Sequence, residues 1–237
     1  MPALRDELDV DVCIVNGENI ADGAGITPKL ADKLLAAGAD VVTLGNHTYR
    51  RSGIADYLAS SDRVIRPANA GAWTPGSGVA TVDARNGVRV AVINLLGSLF
   101  LDTPVSPWEV VDGLVDDARE QAPVVVVDFH AEATSEKVAL ARWLDGRVTA
   151  VIGTHTHVQT NDARVQPNGT AAITDAGMTG PHDSVIGVKA ELAISRMRTR
   201  LPVRFEPAEG GVRIEGVVVD CSDDGRATAI HLVRVSA

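Results

Sequence analysis

Cysteine, basic charge and long apolar runs are all in short supply in this chain, and each shortage removes a class of function. The two cysteines, Cys13 and Cys221, lie at opposite ends of the sequence. Neither has a partner at the spacing of a metal-binding or redox pair, so both are expected to be small buried hydrophobes. Lys and Arg number 22 against 31 Asp and Glu, a formal charge of −9. That acidic excess argues against a general nucleic-acid surface, which needs clustered cations to displace counterions from phosphates. A small anionic substrate would need positive charge from elsewhere, and bound metal ions are one source. No apolar run approaches the ~18 residues of a membrane span, and no charged-then-apolar leader is visible. The expected setting is the reducing cytoplasm, away from any membrane.

What is present is largely aliphatic. With 237 residues, 45% of them hydrophobic and 3% aromatic, the chain can bury one substantial core, and a single domain over residues 1–237 is expected. Apolar, β-branched runs at 10–15, 41–44, 88–95, 124–128 and 148–152 read as buried strands. Helical patterns fall between them, which is an α/β rhythm. Thr27 as N-cap, Pro28 at the first helical position and Gly38 just past the end bracket one helix. Others are predicted over 107–121, from 134 or 135 to 146, and over 189–198. After Leu201 the pattern alternates at 203–206, 212–219 and 228–235, with Gly210-Gly211 and Asp223-Asp224-Gly225 as hairpin signals. Antiparallel strands are therefore expected to finish the fold, and residues 70–78 read as a loop.

Four short motifs stand at or just past the ends of these strands, where open α/β sheets collect their ligands. They are Asn16-Gly17-Glu18-Asn19, Gly45-Asn46-His47, Asp128-Phe129-His130 and Gly153-Thr154-His155-Thr156-His157. Four of the six histidines fall in them, leaving only His182 and His231 elsewhere. Glu18, Asn46, His130, His155 and His157 are good metal ligands by type, and a carboxylate can bridge two ions about 3.5–4 Å apart. Each motif alone has a plainer reading. The Asn-Gly segments are equally turns, His155 and His157 equally two exposed polar residues, and His130 a hydrogen-bonded histidine near the core. It is their joint placement that points to a metal centre. Asp128 reads as an ordinary strand-end aspartate with an orienting role as the alternative. Glu132, Thr154 and Asn94 stand likewise, and Arg66 reads as a surface-loop arginine rather than a phosphate ligand.

In this order and spacing the motifs resemble the calcineurin-like metallophosphoesterase superfamily, and within it the bacterial YmdB-like branch. Leu44-Gly45-Asn46-His47-Thr48, Arg66-Pro67-Ala68-Asn69, Asp128-Phe129-His130-Ala131-Glu132, Gly153 to Thr160 and Ile173 to Pro181 carry the resemblance together with Asn16 to Asn19. It spans nearly the whole chain. The resemblance implies a two-sheet sandwich flanked by helices, two bound ions of iron, manganese or zinc, and hydrolysis of 2′,3′-cyclic nucleotides by a metal-activated hydroxide. By position, it makes Glu18 the bridging ligand, assigns Asn46, His130 and His155 to one metal and Asn19 and His157 to the other, and makes His47 the general acid. It singles out no further substrate contact.

The resemblance also sets an expectation of loss. The family opens on a strand ending in Gly-Asp, whose aspartate joins Asn19 and His157 on their metal. This sequence opens on Met1 to Leu8, which reads as the tail of the helix after that strand. The first strand is thus expected to be missing, and the strand at 10–15 to present an edge that invites homo-oligomer formation. The metal of Asn19 and His157 is expected to bind more weakly than its partner. Two other readings keep the motifs: the same site acting on a phosphoprotein, a nucleotide monoester or RNA, and a non-catalytic regulatory protein holding one metal.

Overall fold

The computed structural model describes residues 2–236. In chain order the elements are α1 (Pro2–Glu7), β1 (Ile14–Asn16), α2 (Pro28–Ala36), β2 (Val41–Thr43), α3 (Ile54–Ser60), β3 (Val64–Ile65), β4 (Val79–Asp83), β5 (Arg89–Leu96), α4 (Pro107–Gln121), β6 (Val124–His130), α5 (Thr134–Trp143), β7 (Ala150–Thr154), β8 (Arg164–Val165), β9 (Ala171–Ile173), β10 (Gly180–Pro181), α6 (Ala190–Thr199), β11 (Val212–Cys221) and β12 (Ala227–Ser236). Thr27 caps α2 by accepting the Leu30 N–H at 3.4 Å, and Pro28 fills the first helical position, where a missing N–H removes no helical bond. Ser106 and Pro107 begin α4 in the same way.

The strands form three ladders. β1, β2 and β3 make a parallel sheet with β1 at an edge, β4 to β9 a six-stranded sheet in the order β4-β5-β6-β7-β9-β8, and β10, β11 and β12 an antiparallel sheet. Side-chain alternation along β5 and β6 explains their stacking. Ala91, Ile93, Val125 and Val127 pack against Val111 and Val115 of α4 and Leu140 of α5. Val90, Val92 and Val124 face Val41 and Ile65 of the β1-β2-β3 sheet. Farther along, Ala150 and Ala171 meet Ala227, Val219 and Ile230 of the β11-β12 hairpin. The outer face of β2 is closed by α2 and α3 through Ile26, Ala31, Ile54 and Leu58. The result is a sandwich of β layers between helices, as the resemblance implies, with the second layer divided between two separate ladders.

Three local expectations are corrected. Residues 203–206 form no strand, and Pro207 makes only an isolated bridge to Val188; prolines at 202 and 207 deprive that stretch of ladder donors. Residues 10–13 precede the short β1, because the Arg5 guanidinium takes the carbonyls of Val10 and Asp11 that a ladder would use. Cys13 is half-buried, and Cys221 is exposed where the register of β11 against β12 shifts between Asp220 and Cys221. Among the described residues no helix is long and apolar enough to cross a membrane.

Candidate metal centre

Parallel strands from two ladders end at one place. β1 and β2 deliver Asn16 to Asn19 and Gly45 to His47, while β6 and β7 deliver His130 and the His155-Thr156-His157 turn. Gly45 permits the close approach: a Cβ there would lie 2.4 Å from the His130 ring.

At the inner end, Glu18 and His130 are each 1% exposed. Asp128 is buried and acts as a hub, accepting Asn16 Nδ2 at 3.1 Å, the Thr43 hydroxyl, and Thr154 Oγ1 at 2.7 Å. Burial pushes the Asp128 carboxyl up, and those three hydrogen bonds pull it back. Because Thr154 donates its proton to Asp128, its oxygen is left to accept His130 Nδ1–H at 3.0 Å. That fixes the His130 tautomer and turns the Nε2 lone pair toward Asn46 Oδ1 at 3.1 Å and Glu18 Oε1 at 3.7 Å. His155 is oriented by Glu132, whose Oε2 lies 2.9 Å from Nε2, so Nδ1 faces His130 Nε2 at 3.1 Å. Burial lowers the pKa of both imidazoles, well below the usual histidine range for His130. Two unprotonated ring nitrogens and an amide oxygen thus converge with no proton between them.

Among the described residues, Glu18 is the buried carboxylate left with an unpartnered oxygen. Its Oε1 accepts the His47 backbone N–H at 2.5 Å, while Oε2 is buried with no partner. Burial raises its carboxyl to about 8 against an ordinary 4.5. A buried carboxylate facing lone pairs calls for a cation.

The outer end is more open. Asn19 accepts His47 Nδ1–H at 3.2 Å through Oδ1 and donates through Nδ2 to His157 Nε2 at 3.0 Å. His157 Nδ1–H donates to the Ile186 carbonyl at 3.2 Å. Burial, then the positive charge of Arg50, lowers the His47 pKa.

All seven residues singled out from the sequence, Glu18, Asn19, Asn46, His47, His130, His155 and His157, therefore join one contact network. It is not a closed coordination shell. Among the described residues no three His, Cys, Asp or Glu side chains gather as a cation site, since two donors here are amides and the others touch in pairs. The donor chemistry nevertheless fits iron, manganese or zinc. Asp128 proves to be a buried organiser rather than a plain strand-end aspartate. Arg66 is also buried, not on the surface, and its guanidinium braces its own loop through the carbonyls of Pro67, Ala68 and Thr74. The support that Thr43 gives Asp128 leaves no mark in the sequence, because threonines at strand ends are too common to signal it.

A family model described as YmdB-like protein matches residues 1–233. The chain is 46% identical over 235 residues to a 2′,3′-cyclic-nucleotide 2′-phosphodiesterase of Bacillus subtilis, covering 99% of this chain and 88% of that protein. Among solved structures it is similar to a hypothetical protein from Thermus thermophilus, at 39% identity and a TM-score of 0.91, over 99% of this chain and 90% of the other. It is also similar to a novel phosphatase from Mycoplasma pneumoniae, at 32% identity and a TM-score of 0.88, over 99% and 85% of the two chains.

Proposed function

The chain belongs to the YmdB-like protein family, and on that premise we propose that it is a metal-dependent phosphodiesterase of the cytoplasm acting on small phosphate esters, 2′,3′-cyclic nucleotides foremost. The observation that carries this reading is the buried Glu18, whose Oε2 has no partner and whose Oε1 lies 3.7 Å from His130 Nε2, the nitrogen that faces His155 Nδ1. Glu18, Asn46, His130 and His155 would hold one ion, and Glu18, Asn19 and His157 a second. Bound divalent ions supply positive charge to phosphoryl oxygens and acidify water at neutral pH.

The chain's own residues do the rest. Thr154 and Glu132 hold two imidazoles in the tautomers that present lone pairs inward. His47 is the outer, half-buried imidazole, and the network engages its Nδ1 alone. Burial lowers its pKa, and an anionic substrate beside it would act in the opposite sense, favouring the protonated form that can protonate the departing ribose oxygen.

The test is hydrolysis of 2′,3′-cyclic AMP, p-nitrophenyl phosphate and a phosphopeptide by chain stripped with a chelator and reloaded with manganese, iron or zinc. Turnover of the cyclic nucleotide that vanishes on stripping and returns on reloading is expected. Turnover of the phosphopeptide alone would move the reading to a protein phosphatase, and metal uptake without turnover to a regulatory metal protein.

A further inference from the structure

Below the centre lies a buried ion pair whose side chains, among the described residues, hydrogen-bond to none of those assigned to the metals. Lys137 Nζ of α5 sits 3.1 Å from Asp175 Oδ2, with side chains 4% and 1% exposed. The same oxygen accepts the Thr156 N–H at 2.9 Å and the Thr156 hydroxyl at 2.7 Å, while Asp175 Oδ1 accepts the Gly177 N–H at 2.9 Å. Thr156 is the residue between His155 and His157, so one carboxylate grips the turn by main chain and side chain at once.

That turn is unusual in its backbone. His155 and His157 both have left-handed φ angles, 97° and 69°, a conformation that residues with a Cβ keep only where the surroundings enforce it. The enforcing contacts are tight. A Cβ on Gly153 would fall 1.9 Å from the Thr174 carbonyl, and the Ala176 N–H donates to the Gly153 carbonyl at 2.9 Å. A buried ion pair adds little stability over an apolar pair of similar volume, so stability alone does not account for Lys137 and Asp175.

We propose that the Lys137–Asp175 pair is a positioning device that sets the His155-Thr156-His157 turn and thereby places the two rings where Glu132 and the Ile186 carbonyl can fix their tautomers. The role of those nitrogens as metal ligands rests on the phosphoesterase reading; the positioning itself does not. Asp175→Asn keeps volume and replaces an oxygen that accepts three hydrogens with a donor, or turns that donor toward Gly177 N–H.

The experiment compares wild type, Asp175→Asn, and Val115→Ala in the α4 core as a control for general loss of stability. Each is measured by thermal melting, by ring-nitrogen NMR of the metal-free chain, and by Mn2+ titration. Asp175→Asn is expected to move the His155 and His157 ring nitrogens from single-tautomer to averaged shifts and to weaken Mn2+ binding by about tenfold or more. Val115→Ala is expected to lower the melting temperature and change neither. Unchanged ring shifts in Asp175→Asn, whatever its melting temperature, overturn the proposal. Should Asp175→Asn fail to fold, Thr156→Val removes the hydroxyl that donates to Asp175 and accepts from Lys137 while keeping both ends of the ion pair, and the same shifts must move in it or the proposal falls. A wild-type chain that takes up no Mn2+ and cleaves no cyclic nucleotide sinks the phosphoesterase reading, yet the metal-free NMR still decides this one.

Discussion

At the inner end of the cluster the His130 side chain is 1% exposed, and at the outer end that of His47 is 28% exposed. The residue type is the same, but the surroundings are not. His130 is locked through Thr154 to the fully buried Asp128, whereas His47 leans only on Asn19 and the near oxygen of Glu18. A ring that cannot reach water, with one nitrogen already committed, is suited to hold a cation. One that stays in contact with solvent is suited to move a proton. On the proposed reading, burial, more than identity, divides the labour among the histidines.

The sharpest test of that contrast is the charge on Glu18 in the metal-free chain. Its carboxyl titrates near 8 when folded against 4.5 as the ordinary value, so the folded state holds the proton more tightly and stability falls as pH rises from about 4.5 to about 8. The loss is on the order of 5 kcal/mol. The buried imidazoles of His130 and His155 act in the opposite sense as pH rises, so the reading is the difference between wild type and Glu18→Gln in urea melts with chelator at both ends of that window; an equal slope in the two would remove Glu18 from its central place. Next in size, His130→Ala should abolish metal uptake at the inner end and lower kcat by on the order of a thousandfold, as read by metal analysis beside turnover. Smallest, His47→Ala should lower kcat by roughly a hundredfold with metal content retained. If metal is lost in the His47 variant as in the His130 variant, the two ends do not differ in role.

The sequence exposed the parts whose signals are local. Thr27-Pro28 and Ser106-Pro107 announce α2 and α4 because caps and first-turn prolines act within a few residues. The three-residue β9 and the seven-residue α3, which begins after a left-handed Gly53 with no side-chain cap, offer no such signal. In the site, the ligand-type residues were legible because histidine, glutamate and asparagine at strand ends are chemically conspicuous. Their supports were not. Asp128 serves Thr154, 26 positions away, and Thr43, 85 positions away, and partnerships over such separations exist only once the two ladders have docked.

That docking carries a thermodynamic consequence. Glu18 and Asn46 follow strands of the three-stranded ladder, His130 ends and His155 follows strands of the six-stranded one, and among the described residues no strand pairing joins the two ladders. On the proposed reading, an ion gripped by all four side chains would be a rivet through that seam. Its binding free energy and the cohesion of the sandwich would then be a single linked quantity, so that ion concentration would set how readily the halves part.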